Sequence, residues 1–338
     1  MKHSLHPFAQ LGTAWLVLGF FQITVLLFVP AASAVPINFD PGLYSFFTVA
    51  NNATFGKINN LGEIVYVQQQ DARANAQVFS TERGQLTSST TQNLGSPDIN
   101  NLGEVVYQDV SPLPGFRVFS TEQGLIDTSG IGSGQAGIPA INDFGEISFT
   151  HSQNEPRGVY TTDRGLLTPF SLISASTFTD INNSGEVIHG GRDSDRRRHI
   201  YSTDRGQLTF SSMGNSGISA AINNFGDVVY TRNIPSLSNA VLLFSLDGTQ
   251  LTNFAVFSAG IGLNDFGDIV FGVGNNFGTR SSIILMTQRP DFFSSSGFTP
   301  FTPPPPISSV VPEPSTILLF GTGLAGLGLW RYRKRVKL

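Results

Sequence analysis

Residues 189–199 hold the densest set of chemically capable side chains in the sequence: His189, Arg192, Asp193, Asp195, Arg196, Arg197, Arg198 and His199. Such a cluster of guanidinium and imidazole groups could bind an anion or an acidic glycan, because the guanidinium fork meets a carboxylate with two parallel hydrogen bonds. The simpler expectation is a solvated loop in which aspartates and arginines neutralise one another at little energetic gain. His151, His189 and His199 lack the spacing that pairs two ligands on one helix face, so no metal is expected. There is no Gly-rich phosphate loop and no nucleophile elbow. The chain has no cysteine, which excludes disulfides, thiolate metal sites and a thiol nucleophile. No catalytic residue and no cofactor is assigned. The net charge of −4 lacks the basic footprint of a nucleic-acid binder.

A second source of oxygen ligands is a phrase that occurs six times. Its first copy is Ile58-Asn59-Asn60-Leu61-Gly62-Glu63, and the others begin at Ile99, Ile141, Ile181, Ile222 and Leu263. The intervals are 41, 42, 40, 41 and 41 residues. An EF-hand-like calcium loop needs acidic or amide ligands at its first, third and fifth places, with Gly at the sixth. Here the fifth place falls on Leu102, Phe144 or Ser184, and the first on Lys57, Asp98, Ala140, Asp180, Ala221 or Gly262. The phrase therefore reads as a turn whose Asn and Gly accept positive φ.

The elements around that turn are strands. In the second copy, Pro97–Ile99 is extended, the turn follows, and Glu104–Gln108 is a β-branched and aromatic run. After a variable loop come Phe116–Thr121, a second turn at Glu122-Gln123-Gly124, and a fourth strand from Leu125. The second turn recurs around Gly84, Gly165, Gly206 and Gly248, where Gly supplies the left-handed residue of a hairpin bulge. Four antiparallel strands with a period near 41 residues predict an all-β, six-bladed β-propeller. The sixth copy lacks its fourth strand, and Asp40–Phe47 resembles a turn and fourth strand with no beginning. The N-terminal strand is thus expected to complete the sixth blade and close the ring, removing its open edges. An open solenoid or paired sandwiches is the alternative. Both repeated turns must lie on one face. The loops between second and third strands differ in every copy and lie on the other, where recognition is expected.

The ends of the chain carry addresses. Leu11–Val29 is almost wholly apolar and is followed by Pro30 and Ala32-Ser33-Ala34, the layout of a signal peptide spanning residues 1–34 and cleaved after Ala34. An uncleaved anchor is the alternative. The repeat domain spans 35–290. A Phe, Ser and Pro-rich linker, 291–310, reads as an exposed, stiff spacer. Residues 311–338 begin Val311-Pro312-Glu313-Pro314. An apolar run, 317–330, follows and would span about 21 Å as a helix. The basic end Arg331, Arg333, Lys334 and Arg335 would stay in the cytoplasm.

That order of parts closely resembles the PEP-CTERM sorting tail of Gram-negative bacterial proteins, with Pro312, Glu313, Pro314, the Gly-rich run 321–328 and the basic cluster matching it. The repeats loosely resemble the Asn-Asp-x-Gly repeats found on such tails. The resemblance implies processing by an exosortase and export to the cell surface or exopolysaccharide matrix. The expected partners are therefore signal peptidase and the secretion machinery, exosortase, the membrane through the C-terminal helix, and exopolysaccharide. The leading expectation is a non-enzymatic structural, adhesive or glycan-binding protein of the biofilm matrix. The alternative is a secreted propeller hydrolase or lyase acting on extracellular polysaccharide.

Overall fold

The computed structural model describes residues 37–69, 76–87, 94–109, 117–126, 137–151, 158–169, 178–195, 197–210, 215–234, 240–274 and 281–304. The expected signal peptide, the sorting tail with its helix 317–330, Arg196 and most of the variable loops lie outside them. Among the described residues no helix is long and apolar enough to cross a membrane.

Each repeat folds as the expected antiparallel meander. The first described strand in the chain, β1 (Ser45–Asn51), belongs to the last blade. Blade 1 is β2 (Ala53–Ile58), β3 (Ile64–Gln69), β4 (Ala76–Ser80) and β5 (Gly84–Gln85). Blade 2 is β6 (Leu94–Ile99), β7 (Val105–Asp109), β8 (Arg117–Ser120) and β9 (Gly124–Leu125). Blade 3 is β10 (Ala140–Ile141), β11 (Ile147–His151), β12 (Gly158–Thr161) and β13 (Gly165–Pro169). Blade 4 is β14 (Thr179–Ile181), β15 (Val187–Arg192), β16 (Arg198–Ser202) and β17 (Gly206–Gln207). Blade 5 is β18 (Asn215–Ile222), β19 (Val228–Ile234) and β20 (Ala240–Ser245), with a bridge from Phe244 to Gln250 at its outer edge.

Blade 6 closes the ring as the half-repeat at Gly42 foretells. β21 (Phe257–Leu263), β22 (Ile269–Val273) and β23 (Ser282–Thr287) are completed by β1, which pairs with β23 from Ser45↔Thr287 to Asn51↔Ser282. The linker then differs from the exposed spacer expected after Asp291. Pro290–Phe293 forms a 3₁₀ turn with Phe293 buried, and β24 (Thr299–Pro300) adds a fifth strand against β1. Phe301 packs against Phe254 with ring centroids 5.9 Å apart and the rings tilted by 56°. Phe293 is buried, and Phe298 and Phe301 are partly buried against the core; apolar burial of this kind, about 1.5–3 kcal/mol for a fully buried large side chain, makes docking cheaper than solvation.

The core is divided among the seams between blades. Ile188 and Ile200 of blade 4, for example, pack on Ala220, Ile222 and Tyr230 of blade 5. On one sheet face, five blades set aromatic rings directly opposite one another on their second and third strands. The pairs are Tyr66–Phe79, Tyr107–Phe119, Phe149–Tyr160, His189–Tyr201 and Tyr230–Phe244, with centroids 5.7–6.0 Å apart. Such cross-strand pairs fix register as well as adding packing energy.

Candidate functional site

The repeated phrase builds the inner wall of the ring. In each copy a type I turn ends in a left-handed glycine, with φ between 78° and 87° at Gly62, Gly103, Gly145, Gly185, Gly226 and Gly267. The leading asparagine does not take up positive φ, which corrects the expectation for Asn. It acts through its side chain instead. Asn59 Oδ1 accepts the N–H groups of Leu61 and Glu63, both at 3.0 Å. Asn100, Asn142, Asn182, Asn223 and Asn264 repeat the pattern.

The opposite end of the same amide reaches the next blade. Asn59 Nδ2 donates to Asn100 O, Asn100 to Asn142 O, Asn142 to Asn182 O and Asn182 to Asn223 O, at 3.1–3.3 Å. Asn264 closes the circle on Asn59 O at 3.2 Å. Asn223 instead turns to its own Asp227 at 3.1 Å. A second circle lies beside it and is complete. The N–H of each third residue donates to the side-chain Oδ1 of the next: Asn60 to Asn101, on to Asp143, Asn183, Asn224 and Asp265, and back to Asn60, at 2.6–2.9 Å. Asp occupies this place in blades 3 and 6, which face each other. Asp143 Oδ2 accepts from the amides of Asn101 and Asn183, and Asp265 Oδ2 from those of Asn60 and Asn224. Two acceptor carboxylates thus serve four donor amides, which accounts for the order Asn, Asn, Asp, Asn, Asn, Asp around the ring.

The closing acid of the phrase clamps the second turn. Glu63 Oε1 accepts from Ser80 Oγ and, at 2.7 Å, from Arg83 Nε. Gln123 replaces the arginine on Glu104 at 2.9 Å, while Arg164 and Arg205 hold Glu146 and Glu186 at 2.6 Å. In blade 6 the partner of Asp268 is Arg289, which also stacks at 3.9 Å over Phe266. Both turns of a blade therefore share one face, as expected. Glu, Ser and Arg recur together in the sequence for this reason, a triplet that sequence reading missed.

Inside the ring lies a polar cavity of about 60 Å³ lined by the residues that precede and open the phrase. Lys57 of blade 1 reaches Asp180 of the facing blade 4, Nζ to Oδ1 at 2.9 Å, and lies 3.7 Å from Asp98 Oδ1. The remaining carboxylate oxygens accept backbone N–H groups, Asp98 from Ile141 at 2.8 Å and Asp180 from Ile222 at 2.9 Å. Burial pushes the Asp98 carboxyl up to about 6 although Lys57 opposes the shift. Burial works against the Lys57 charge, but Asp180 and Asp98 outweigh it and hold the ammonium above its ordinary value. Positions 57, 98 and 180 share one column of the repeat but differ in type, and only the ring brings their side chains together.

The loop of blade 4 divides. His189 is buried, fills the aromatic column stacked on Tyr201 at 5.7 Å, and has its pKa lowered by burial. The column Tyr66, Tyr107, Phe149, His189, Tyr230, Phe271 carried that signal in the sequence. His199 is fully buried and its Nε2 lies 2.8 Å from Asp193 Oδ2. Arg197 is exposed, and its N–H donates to Asp193 Oδ1 at 2.9 Å. Desolvation raises the Asp193 carboxyl, but the Arg197 N–H and His199 together outweigh it and hold the group below its ordinary value. Arg192 and Arg198 face each other across the hairpin. The two histidines thus belong to the blade interior rather than to an open anion site. Among the described residues no group of three His, Asp or Glu side chains is placed to hold a metal ion.

Outside the ring, residues 310–334 match the family model of the PEP-CTERM protein-sorting motif. The chain carries a PEP-CTERM tail. The match includes Pro312, Glu313 and Pro314 and ends one residue short of Arg335. A PEP-CTERM tail implies export, a membrane-anchored sorting intermediate and exosortase as the processing partner. No curated protein matches the chain. Several solved structures align with the ring. A lectin from Aleuria aurantia aligns over 78% of this chain and 99% of its own, at 8% identity and a TM-score of 0.46. Virginiamycin B lyase from Staphylococcus aureus aligns over 72% and 99%, at 12% identity and 0.40. The β-propeller domain of the Trilobed protease from Pyrococcus furiosus aligns over 68% and 79%, at 13% and 0.40. Likeness at this level says nothing about what a PEP-CTERM chain binds.

Proposed function

We propose that this PEP-CTERM chain is a non-catalytic display module. The ring is carried out of the cell, held at the membrane by its tail, released or transferred by exosortase, and serves a structural or adhesive role in the surface matrix through its variable loops. The observation that carries the reading is Lys57. It sits between Asp98 and Asp180, while Asp143 and Asp265 accept from amides of the neighbouring blades, so the inward carboxylates are engaged within the ring, beside a cavity of about 60 Å³. Ligand pockets commonly run to about 300–1,000 Å³, so this space suits a water molecule or two rather than a sugar. The raised Asp98 carboxyl is the one feature that favours the alternative, a polysaccharide hydrolase or lyase, since a catalytic acid needs such a shift. Its setting against Lys57 weighs against that role.

Deleting residues 311–338 tests the sorting half of the reading. The truncated chain is expected to leave the membrane fraction and to escape processing; a chain that stays bound and is still cut would contradict it.

A further inference from the structure

The turn at the heart of every repeat presents one residue outward, the place between the asparagines and the glycine. There the ring exposes Leu61 by 69%, Leu102 by 75%, Phe144 by 78%, Phe225 by 49% and Phe266 by 51%. Only blade 4, with Ser184, is polar. Turn residues are normally polar, and large apolar groups recurring on one face of a protein mark a surface that meets something. The two circles of hydrogen bonds hold these side chains in a rigid annulus around the mouth of the cavity, so their exposure is built into the repeat.

The course of the chain says what they meet. β24 runs antiparallel to β1, and β1 starts at the turn face with Ser45 opposite Thr287. After Pro300 the chain therefore climbs back to that face, where Phe301 N–H bonds Phe46 O at 2.9 Å and Pro303 and Pro304 line one cavity with Pro41 and Gln250. Only residues 305–316 separate this point from the apolar run of the tail. Fully extended, they reach at most about 40 Å. A ring tied so closely at its turn face cannot swing that face far from the bilayer.

We propose that the apolar annulus is a lipid-docking surface, which lays the turn face on the membrane and points the variable loops outward while the tail is anchored. Carboxylates on the second turns, Glu82, Glu122, Asp163 and Asp204, are exposed on the same face. Docking therefore takes place by apolar insertion among zwitterionic headgroups, not by attraction to anionic lipid. The tether supplies the effective concentration that so small an apolar area needs. After release of the tail, docking weakens and the ring is freed.

The proposal rests on the tail entering the bilayer, and one experiment separates the two. The cysteine-free chain accepts a single label at Leu102→Cys on the annulus or at Asp195→Cys on the opposite loop. The full chain is bound to phosphatidylcholine vesicles containing a shallow spin-labelled lipid. Flotation with the vesicles reports insertion of the chain; quenching of the fluorophore reports the face. Quenching several-fold stronger at position 102 than at 195 is expected, unchanged by dilution of protein in lipid and lost when Leu61, Phe144 and Phe225 are changed to Ser, the residue blade 4 already uses. Flotation with equal quenching at both positions overturns the proposal and spares the tail reading. Shielding at 102 without lipid quenching, or shielding that grows with protein density, assigns the face to the chain's own tail or to a second copy and equally overturns it. Failure to float overturns the tail reading itself.

Discussion

Lys57 Nζ lies 2.9 Å from Oδ1 of Asp180, a residue 123 positions away on the facing blade. A lysine side chain thus spans the interior of the ring and ties blade 1 to blade 4, with Asp98 of blade 2 at its flank. The pair is buried at both ends. Lys57→Met fills similar space but leaves two carboxyl groups without a counter-charge. Breaking a buried pair in this way costs about 3–5 kcal/mol. Urea unfolding at pH 7 is expected to show a loss of that order, and a smaller one at pH 5, where protonation relieves the orphaned carboxylates. An equal loss at both pH values would contradict the pairing.

Asp98 makes stability depend on pH in an unusual direction. An unfolded aspartate titrates near 4, whereas burial places this one at about 6 in the folded chain. Between about pH 4 and pH 6 the folded state keeps a proton that the unfolded state has lost, so this group's contribution to stability falls as pH rises through that window. Asp98→Asn retains an acceptor for the Ile141 N–H and removes the titration. Thermal melts from pH 4 to pH 8 should show the variant losing this component of the slope; superimposable profiles for variant and parent would refute the shift.

The two circles of amides differ in burial, and that ranks their substitutions. Asn100 is buried and serves three partners: Leu102 N–H, Glu104 N–H and Asn142 O. Asn100→Ala leaves buried groups unsatisfied, at about 1–3 kcal/mol for each, and is expected to cost about 2–4 kcal/mol. Asn101 is half-exposed, and water can replace its bonds to Asn60 N and Asp143 Oδ2. Asn101→Ala should cost about 1 kcal/mol. Denaturant midpoints at equal slopes check the order; a larger effect at 101 would reverse the account of which circle holds the ring.

Closure between blades 6 and 1 depends on close backbone approach. A Cβ at Gly262 would stand 2.8 Å from Ile58 N and from Lys57 Cα, and one at Gly260 2.5 Å from Phe55 Cα. Backbone atoms cannot rotate away as a side chain would. Gly262→Val is expected to force the seam apart, at a cost above the 1–3 kcal/mol typical of overpacking, and hydrogen exchange should rise first in β21 and β2, the strands that meet at the seam. Uniform exchange around the ring would contradict a local opening.

Much of this architecture is legible in the sequence. The spacing of the phrase gave six blades, and the orphan half-repeat at Gly42 gave the closing strand, because period and register are local properties. The glycines of both turns were read correctly for the same reason. The role of the asparagines is hidden because their work is non-local: Asn59 answers to Asn100 in the next blade, which no window of sequence displays. Lys57, Asp98 and Asp180 occupy one column of the repeat but differ in type, so they looked like noise until the ring folded them together. His189 stands at the start of a charged loop, but the period of the repeat also places it in the column of aromatics, and that column is what the blade uses. The prolines of the linker suggest a spacer, whereas the buried Phe293 and the partly buried Phe298 and Phe301 dock its first part on the ring.

The display reading turns on whether the ring holds polysaccharide without cutting it. The most direct measurement is to incubate the purified full chain with the exopolysaccharide of its own matrix, and with a panel of acidic and neutral glycans, while following both retention and the appearance of new chain ends. The account predicts retention of at least one polymer with no new reducing or unsaturated ends over long incubation. Steady release of such ends, abolished by Asp98→Asn, would contradict it.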